Sequence, residues 1–549
     1  MLDPKPDSTL KTEPVLFFSA LALILVTCIP IILYQDKALT VLIEIRKFFT
    51  GPLGWMFLLF GVSSVLFLVW MIFGPYRNVK LGGKDEEPEF STISWIAMLF
   101  CCGIGTGLIY WAFIEPIYYL QSPPFGIAPG TVEAKEWAAA YGIFHWGYVP
   151  WAITCGFGIP IAYSYYVRKT PRLSIGAAFD GHLGKHTWFT TVVDLLVMLA
   201  ILGNVVTVLG LGTPMLSATI AKFIGIEPSF HLDLTVVAIW TILFCCSCYF
   251  GLKKGIKLLS NLNLVLALAV MVLVLSVGPT SFILNTFMNS LGLVFQNTIR
   301  MCFNTDTVGA TGWPQDWTIF FWAWWLGAAP FVGVFLAKIS KGRTLRQMAI
   351  APLVWGPLGC AIFFGVFGGY SLHTELFGEQ SMTTMMAAMG PAKTIATMIA
   401  ALPLGQIMLP LFIVLMFIFC ATTLDSASYV LATVSTKELP IGTEPARWNR
   451  MFWSVINGVA AISLMLLGGL KPLQAVAVLT AFPLMFIMLG AGYFLVKDLK
   501  FQADLEAGTV PTMEYLKLQT ELEEIATQSM EPVDKKVLVT PGTREHILA

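Results

Sequence analysis

Charged side chains are scarce in this chain of 549 residues. Only 12% of the residues are Asp, Glu, Lys or Arg, roughly half the share found in a typical soluble domain. Basic and acidic residues number 33 each, so the composition has no positive excess of the kind that favours nucleic-acid binding. The composition therefore argues against a soluble domain and against a nucleic-acid partner.

Signals for metal or disulfide chemistry are also missing. The ten cysteines form no paired CxxC set, and the six histidines show no metal-ligand spacing. We interpret the cysteines as small apolar packing residues, because they lie largely within apolar runs. No nucleophile–base set stands out either, so an enzyme is not expected and no cofactor is predicted.

Long apolar runs are what the chain has instead. Hydrophobic residues make up 56% of it, and several runs reach the roughly 20 residues that a helix needs to cross a bilayer. The first run, at about 15–34, is too long for a signal-peptide core and lacks a small-residue cleavage site. We therefore expect it to stay as a span of an all-α polytopic membrane protein.

Hydropathy windows predict twelve transmembrane helices. They lie near 15–34, 54–74, 92–120, 137–167, 188–222, 232–251, 257–285, 316–339, 347–373, 405–433, 451–470 and 473–496. Lys and Arg cluster after spans 2, 4, 6, 8 and 10, which by the positive-inside rule places both termini in the cytoplasm. Residues 286–305 are amphipathic and are expected to form an interfacial helix between spans 7 and 8.

Glycines at alternate positions interrupt span 3. Gly103, Gly105 and Gly107 each weaken a helix by about 1 kcal/mol relative to alanine, which favours local unwinding. Interrupted helices bind substrates in transporters through the backbone groups that unwinding frees. The alternative is close helix packing through small residues. Glu115, in the same span, is a second candidate: it faces a pathway or stabilises a helix break before Pro116.

Hydroxyl groups and one carboxylate concentrate in span 10, in the segment TTLDSAS at residues 422–428. Thr422 and Thr423 offer oxygen ligands to a hard cation such as sodium. The alternative is ordinary hydrogen bonding of the Thr and Ser hydroxyls to helix carbonyls four residues earlier. Asp425 is interpreted as a structural or gating residue, because an ionisable residue within a span usually faces a partner or a pathway.

Aromatic residues concentrate in spans 3, 4 and 8. Span 8 carries FFWAWW at residues 320–325, and span 4 carries FHWGYVPWAIT at residues 144–154, in which Pro150 is expected to kink the helix. Tryptophans at the lipid headgroup level would form an interfacial belt. The alternative is an interior cage, because aromatic faces attract cations that lack hydrogen-bond donors.

Four motifs together closely resemble the betaine/carnitine/choline transporter (BCCT) family: FHWGYVPW, GIGTGL, TTLDSAS, and WAWW followed by PFVGVFLAKISKGRT. The resemblance extends from span 1 through span 12. It implies a LeuT-like fold, in which two extra helices precede two inverted repeats of five helices (5+5), and a homotrimer in a bacterial inner membrane. The implied segments are a cytoplasmic N-terminal tail (1–14), two additional helices (15–91), the first repeat (92–285), an amphipathic connecting helix (286–315), the second repeat (316–496) and a cytoplasmic C-terminal tail (497–549).

By this resemblance the substrate is a small quaternary ammonium compound such as glycine betaine, carnitine or γ-butyrobetaine. The residues implied to line its route and its central box are Trp146, Trp151, Trp322, Trp324, Trp325 and Tyr118. Aromatic faces attract a trimethylammonium group by about 0.5–2 kcal/mol per contact, whereas the group has no N–H to donate to a carboxylate. The substrate's own carboxylate is expected at backbone N–H groups near Gly103 and Gly105.

The coupling ion implied by the resemblance is sodium. The matching oxygen donors are the carbonyls of Cys101, Ile104 and Phe419 and the hydroxyls of Thr422 and Thr423. Sodium-independent carnitine exchangers place Arg and Met in this region, where the chain has Asn263 and Val332, and proton-coupled choline carriers place Asp at the position of Gly107. Ile201 and Val205, which match a second sodium site of some relatives, are apolar. We therefore expect symport through one sodium site, with ion-independent exchange of carnitine-type substrate and product as the alternative.

A channel or a non-transporting receptor would need features that the sequence lacks. A channel needs a continuous polar pore, whereas most of the predicted spans are almost wholly apolar. A receptor would be expected to carry a folded signalling domain, and the C-terminal tail is short for one. A carrier is the function class that the sequence favours.

Overall fold

The computed structural model describes residues 11–507 apart from 84, 106, 171, 184–187, 251, 438 and 440–442, and it describes the backbone alone at 103, 104, 246–250, 252–260, 422 and 506. Helices make up the regular structure of this part of the chain. The exceptions are two isolated antiparallel bridges, which join Thr12 to Thr436 and Lys80 to Thr344.

The helices of the described residues follow one another along the chain. They are α1 (Pro14–Leu33), α2 (Gln35–Thr50), α3 (Gly54–Phe73), α4 (Thr92–Ile104), α5 (Gly107–Gln121), α6 (Val132–His145), α7 (Tyr148–Gly156), α8 (Gly158–Tyr166), α9 (Trp188–Ile224), α10 (Phe230–Phe250), α11 (Leu252–Val277), α12 (Thr280–Cys302), α13 (Trp313–Asp316), α14 (Thr318–Ile339), α15 (Leu345–Phe363), α16 (Gly369–Phe377), α17 (Met382–Ala401), α18 (Gly405–Val434), α19 (Arg447–Met465) and α20 (Leu470–Glu506). A π-helical turn, Phe364–Gly368, joins α15 to α16.

Several of these helices are long and apolar enough to cross a membrane. In the described part of the chain seven pass on length and hydropathy, and two bent pairs pass as broken spans: α4 with α5, bent by 62°, and α11 with α12, bent by 114°. The expected all-α polytopic membrane protein is therefore confirmed in its class. The number of twelve spans and the 5+5 repeat stay predictions.

Two helices lie where the sequence predicted connecting segments. The first is α2, whose charged residues kept it out of the hydropathy windows; its Arg46 is only 6% exposed because it pairs with Asp316 of α13. The second is α17, which begins where the hydroxyl of Ser381 accepts a hydrogen bond from the backbone N–H of Thr384. A buried ion pair fixes α2 and an N-terminal cap starts α17, and hydropathy detects neither feature.

Two helix breaks also differ from the sequence expectation. Predicted span 4 is divided into α6, α7 and α8, and its first break falls at Trp146–Gly147, before Pro150. Pro150 lies in the first turn of α7, where a backbone N–H is not needed, so it does not kink the helix. The connecting helix α12 begins at Thr280 rather than 286, because Gly278 and Pro279 end the preceding helix.

The helix α14 lies in the interior of the protein. All of its residues except Lys338 are buried, and it packs against α3, α7, α8, α9 and α18. A span that is apolar on every face and buried on every face is a core helix. Its aromatic side chains are consequently available to the interior and not to surrounding lipid.

Two loops, which we call the paired loops (residues 77–89 without 84, and 340–344), hold the ends of four helices together. Backbone hydrogen bonds join Leu81 N–H to the Arg343 carbonyl (2.9 Å) and Gly342 N–H to the Leu81 carbonyl (2.7 Å). The Arg343 guanidinium lies 4.1 Å from the centre of the Trp95 ring, and Trp95 Nε1 donates to Ser340 Oγ at 3.0 Å. The SKGRT segment therefore fastens α14 and α15 to α3 and α4.

Gly342 is the position at which this pairing tolerates no side chain. Its φ is +78°, and an ideal Cβ would lie 2.4 Å from the Glu87 carbonyl oxygen. Gly468 shares the left-handed conformation (φ +65°) but has nothing within 4 Å of its ideal Cβ. Both substitutions by alanine carry a backbone strain of about 1–3 kcal/mol, and only Gly342→Ala adds a clash with backbone. Gly342→Ala should thus lower the unfolding temperature in detergent clearly more than Gly468→Ala; equal shifts would contradict the packing described for the paired loops.

Candidate functional site

A small cavity lies between α9, α14, α18 and the break that separates α6 from α7. The residues that line it are Trp146, Asn204, Val208, Trp324, Trp325, Ala328, Phe331 and Thr423. Its free space is that of about one water molecule. Three of the tryptophans predicted to bind substrate thus meet at one place, and they meet beside a threonine that was predicted to bind sodium.

The three indole rings form a corner around this cavity. The ring centre of Trp146 lies 5.6 Å from that of Trp324 and 5.2 Å from that of Trp325. The Trp146 plane is tilted by 77° and 75° to the two others, so each pair is edge-to-face. Rings at right angles present faces in different directions, which is the arrangement that surrounds a rounded cation.

The other predicted substrate residues lie apart from the cavity. Trp322 points the opposite way on α14, where its Nε1 lies 2.9 Å from an ideal Cβ of Gly61, and its ring packs 5.3 Å from that of Phe144. Trp151 lies behind Trp325, with ring centres 5.5 Å apart. Tyr118 packs against Trp317, with ring centres 5.2 Å apart. These three residues therefore do not line the cavity, and their role in binding substrate stays a prediction.

The burial of the tryptophan side chains tests whether they form a belt at the membrane interface. The exposed fractions of Trp322, Trp324 and Trp325 are 1%, 5% and 3%, and those of Trp146 and Trp151 are 1% and 0%. A ring at the lipid headgroup level would have one face in the membrane interface. These five rings are in the protein interior, so the belt interpretation of the FFWAWW segment is wrong.

The predicted unwinding of span 3 occurs beside this cavity. The helix stops at Ile104, and Gly105 has φ +51° and ψ −160° before α5 begins at Gly107. An ideal Cβ at Gly105 would lie 2.8 Å from Thr423 Oγ1, and one at Gly107 would lie 2.8 Å from the Trp324 ring. Glycine therefore permits both the break and the close approach of α14 and α18.

The predicted sodium ligands lie around the same break. Cys101 and Phe419 are buried, at 0% and 1% exposed, and the Thr423 hydroxyl donates to the Phe419 carbonyl at 3.1 Å. This is the hydrogen bond to the carbonyl four residues earlier that was the alternative explanation for the span 10 hydroxyls. The structure is therefore compatible with Thr423 as a sodium ligand and with Thr423 as an ordinary helix residue. The side chains of Ile104 and Thr422 are not among the parts of the chain that the structure describes.

Glu115 is part of a buried network that holds Trp146. Its Oε2 accepts a hydrogen bond from Trp146 Nε1 at 3.0 Å, and its Oε1 accepts one from the Tyr119 hydroxyl at 2.6 Å. His145 Nδ1 lies 3.2 Å from the same Oε1, and its Nε2 lies 2.9 Å from the hydroxyl of Thr318. Glu115 and His145 are both 0% exposed. The carboxylate consequently orients one wall of the cavity and does not line it.

Asn204, Val208 and Phe331 line the cavity although the sequence analysis did not select them. The signal for Asn204 was present, because one amide inside a long apolar span is expensive and usually has a partner. Its Nδ2 donates to the Trp324 carbonyl at 2.9 Å. Val208 and Phe331 gave no signal, since apolar residues in an apolar span are ordinary core residues.

Removing the carboxyl group of Glu115 should destabilise the protein. In Glu115→Leu the buried Trp146 N–H loses its acceptor, which costs about 1–3 kcal/mol, whereas the Tyr119 hydroxyl keeps His145 Nδ1 as a partner at 2.7 Å. Glu115→Gln keeps an acceptor oxygen and should lose much less. Thermal unfolding of the purified variants in detergent measures this order, and a leucine variant as stable as the glutamine variant would contradict it.

A comparison with known protein families shows which family the chain belongs to. A family model described as betaine/carnitine/choline family transporter matches residues 15–504, which include α7, α9, α14 and α18. That range includes every residue of the cavity, the helix break at Gly105 and the Glu115 network. This multi-pass membrane protein belongs to the betaine/carnitine/choline family of transporters.

Proposed function

We propose that the protein is a sodium-coupled symporter of a zwitterionic quaternary ammonium compound. The observation that carries the proposal is the corner of Trp146, Trp324 and Trp325, with ring centres 5.2–5.6 Å from that of Trp146, beside Thr423. Glycine betaine, carnitine and γ-butyrobetaine all have the chemistry that this corner fits. Alternating access would move one bundle of helices against the other around the site.

The indole groups suit both ends of such a substrate. Their faces attract the trimethylammonium group, which offers no N–H of its own. The Nε1 atoms of Trp324 and Trp325 are buried without a hydrogen-bond partner among the described residues. Indole N–H groups donate only, and a carboxylate accepts only, so these two donors supplement the backbone groups near Gly105 as partners for the carboxylate.

The surroundings of Cys101 favour sodium over a built-in positive charge. Asn263, which is 0% exposed, has its Nδ2 3.8 Å from the Cys101 sulfur. Its Oδ1 has no hydrogen-bond partner among the described residues. A buried unpaired oxygen is the kind of ligand that a hard cation takes, whereas an ion-independent exchanger would be expected to carry a fixed cation here. The second candidate, exchange of carnitine for γ-butyrobetaine, lacks this support.

An oligomeric state and a membrane orientation are proposed together with this function. We propose a homotrimer in a bacterial inner membrane, with both termini in the cytoplasm and two inverted repeats of five helices after α1 and α3. The basic loops after the even-numbered spans support the orientation.

Uptake into proteoliposomes tests the proposed function. Labelled carnitine, glycine betaine and γ-butyrobetaine would be offered with an inward sodium gradient, with potassium replacing sodium as the control. Concentration of one of them that requires sodium is the expected result. Sodium-indifferent uptake that appears only with substrate preloaded inside would overturn symport and establish exchange.

Trp325 and Trp322 form a matched pair for the aromatic corner. Trp325→Leu removes a cavity ring and should weaken substrate binding at least about tenfold, since each cation–π contact is worth about 0.5–2 kcal/mol and shape is lost as well. Trp325→Phe retains an aromatic face and should lose less. Trp322→Leu, on the other side of α14, should leave affinity within about threefold. Equilibrium binding of labelled substrate to purified protein measures all three, and an equal loss in both leucine variants would contradict the corner.

Thr423 and Thr433 form a second matched pair, for the coupling ion. Both hydroxyls donate to the carbonyl four residues earlier on α18, to Phe419 at 3.1 Å and to Tyr429 at 2.9 Å, and both residues are buried. Only Thr423 lies at the cavity. Thr423→Val should abolish sodium stimulation of uptake, whereas Thr433→Val should retain it. Sodium stimulation that survives in Thr423→Val would remove this threonine from the coupling site.

A further inference from the structure

Glu115 and His145 are two buried titratable groups that lie beside each other, next to the wall of the cavity. The Tyr119 hydroxyl is between them, 2.6 Å from Glu115 Oε1 and 2.7 Å from His145 Nδ1. Among the described residues His145 is the only basic partner of Glu115. Asp194, which is equally buried, pairs with Arg172 instead. A buried carboxylate without a cation as its partner is costly, which favours a protonated carboxyl group at Glu115.

The direct distance between the two groups argues against an ion pair. His145 Nδ1 lies 3.2 Å from Glu115 Oε1, whereas charge-assisted N–H···O bonds are about 2.7–2.9 Å long. The shorter contacts are the two to the Tyr119 oxygen. This geometry favours an uncharged carboxyl group and an uncharged imidazole that are connected through a hydroxyl group.

The network can complete its hydrogen bonds in two proton arrangements without a change in heavy-atom positions. In the neutral arrangement the Glu115 carboxyl O–H donates to the Tyr119 oxygen, and the Tyr119 hydroxyl donates to His145 Nδ1. The His145 Nε2–H then donates to the Thr318 oxygen at 2.9 Å. In the ionised arrangement each of these three bonds is reversed. Trp146 Nε1 donates to Glu115 Oε2 in both, and heavy-atom distances fit either, so the two arrangements differ by one proton.

We propose that Glu115 holds a proton in the ligand-free protein and that binding of the cationic group of the substrate against Trp146 releases it. The proposal rests on the proposed function and deepens it by making substrate affinity depend on pH. The Glu115 proton passes to the Tyr119 oxygen, and the Tyr119 proton passes to His145 Nδ1. The proton on His145 Nε2 leaves to water. Because Trp146 both lines the cavity and bonds to Glu115, a positive charge in the cavity stabilises the carboxylate behind that ring.

The other titratable groups around the network, among the described residues, do not bond to it. Tyr141 of α6 is in ring contact with His145, with ring centres 5.2 Å apart. Asp316 of α13 pairs with Arg46 of α2. The remaining charged or imidazole side chains on the helices that pack against α5 and α6 are exposed or half-buried. They are those at the start of α6 (133–136), Lys222, Arg300, Lys338, Arg346, His373, Glu375 and Lys393.

Calorimetric titration in buffers of different ionisation enthalpy counts the protons released per bound ligand. Purified protein would be titrated with glycine betaine, carnitine and γ-butyrobetaine at a constant, saturating sodium concentration. These ligands have no group that titrates near neutral pH. Wild-type protein should release protons on binding, and its affinity should rise with pH by about twofold to tenfold per unit around neutral pH.

Glu115→Gln is the variant that isolates the proton. Its amide N–H donates to Tyr119 and its amide oxygen accepts from Trp146, so it keeps the bonds of the neutral arrangement but has no proton to release. It should show no proton release and an affinity that does not change with pH. Asp194→Asn removes an equally buried carboxylate that has a cation as its partner, and it should release protons as the wild type does.

Infrared difference spectroscopy of the same titration is a second measurement. Ligand binding should remove the carbonyl band of a protonated carboxyl group in wild-type protein, and Glu115→Gln should lack this change.

The outcomes separate this inference from the proposed function. Binding without proton release by wild-type protein, or release that persists in Glu115→Gln, overturns the inference and leaves the symporter proposal standing. A wild-type protein without the carboxyl band change does the same. Binding of none of the three ligands overturns the proposed function, and the inference fails with it.

Discussion

The break between α4 and α5 is the constraint on which the site depends. Backbone groups freed inside an apolar span cannot be satisfied by lipid, so such a break persists only where protein surrounds it. Thr423 of α18 and Trp324 of α14 provide that cover, each 2.8 Å from the ideal Cβ position of a glycine at the break. The requirement to enclose Gly105 thus brings α14 and α18 together. The cavity lies where they meet.

The three tryptophans around the enclosed cavity differ in whether the indole N–H has a hydrogen-bond partner. Trp146 donates to Glu115 and is held by a buried polar network, whereas Trp324 and Trp325 keep donors without partners among the described residues. A satisfied network makes a rigid wall, and an unsatisfied buried donor raises the free energy of the ligand-free state. The cavity therefore has one wall that is held by a satisfied polar network and two walls whose indole N–H groups have no partner among the described residues.

Local sequence signals predicted the parts of this site that depend on chain stiffness and composition. The glycine run predicted the break, and the aromatic runs of spans 4 and 8 predicted which helices meet. The direction of each ring was not predicted, although Trp322 and Trp324 are about 200° apart on a helix and face different neighbours. Pro150 was expected to kink span 4, but the break occurs at Gly147, since proline is tolerated in a first turn. Asn204 was missed because its role depends on Trp324, 120 residues away along the chain.

The size of the cavity bears on the transport proposed above. Its free space is that of about one water molecule, and a trimethylammonium group is far larger. A substrate with such a group would have to separate the rings of Trp146, Trp324 and Trp325 before it could bind between them. In the proposed transport cycle, loading of the site would then be coupled to the opening of a packed aromatic cluster.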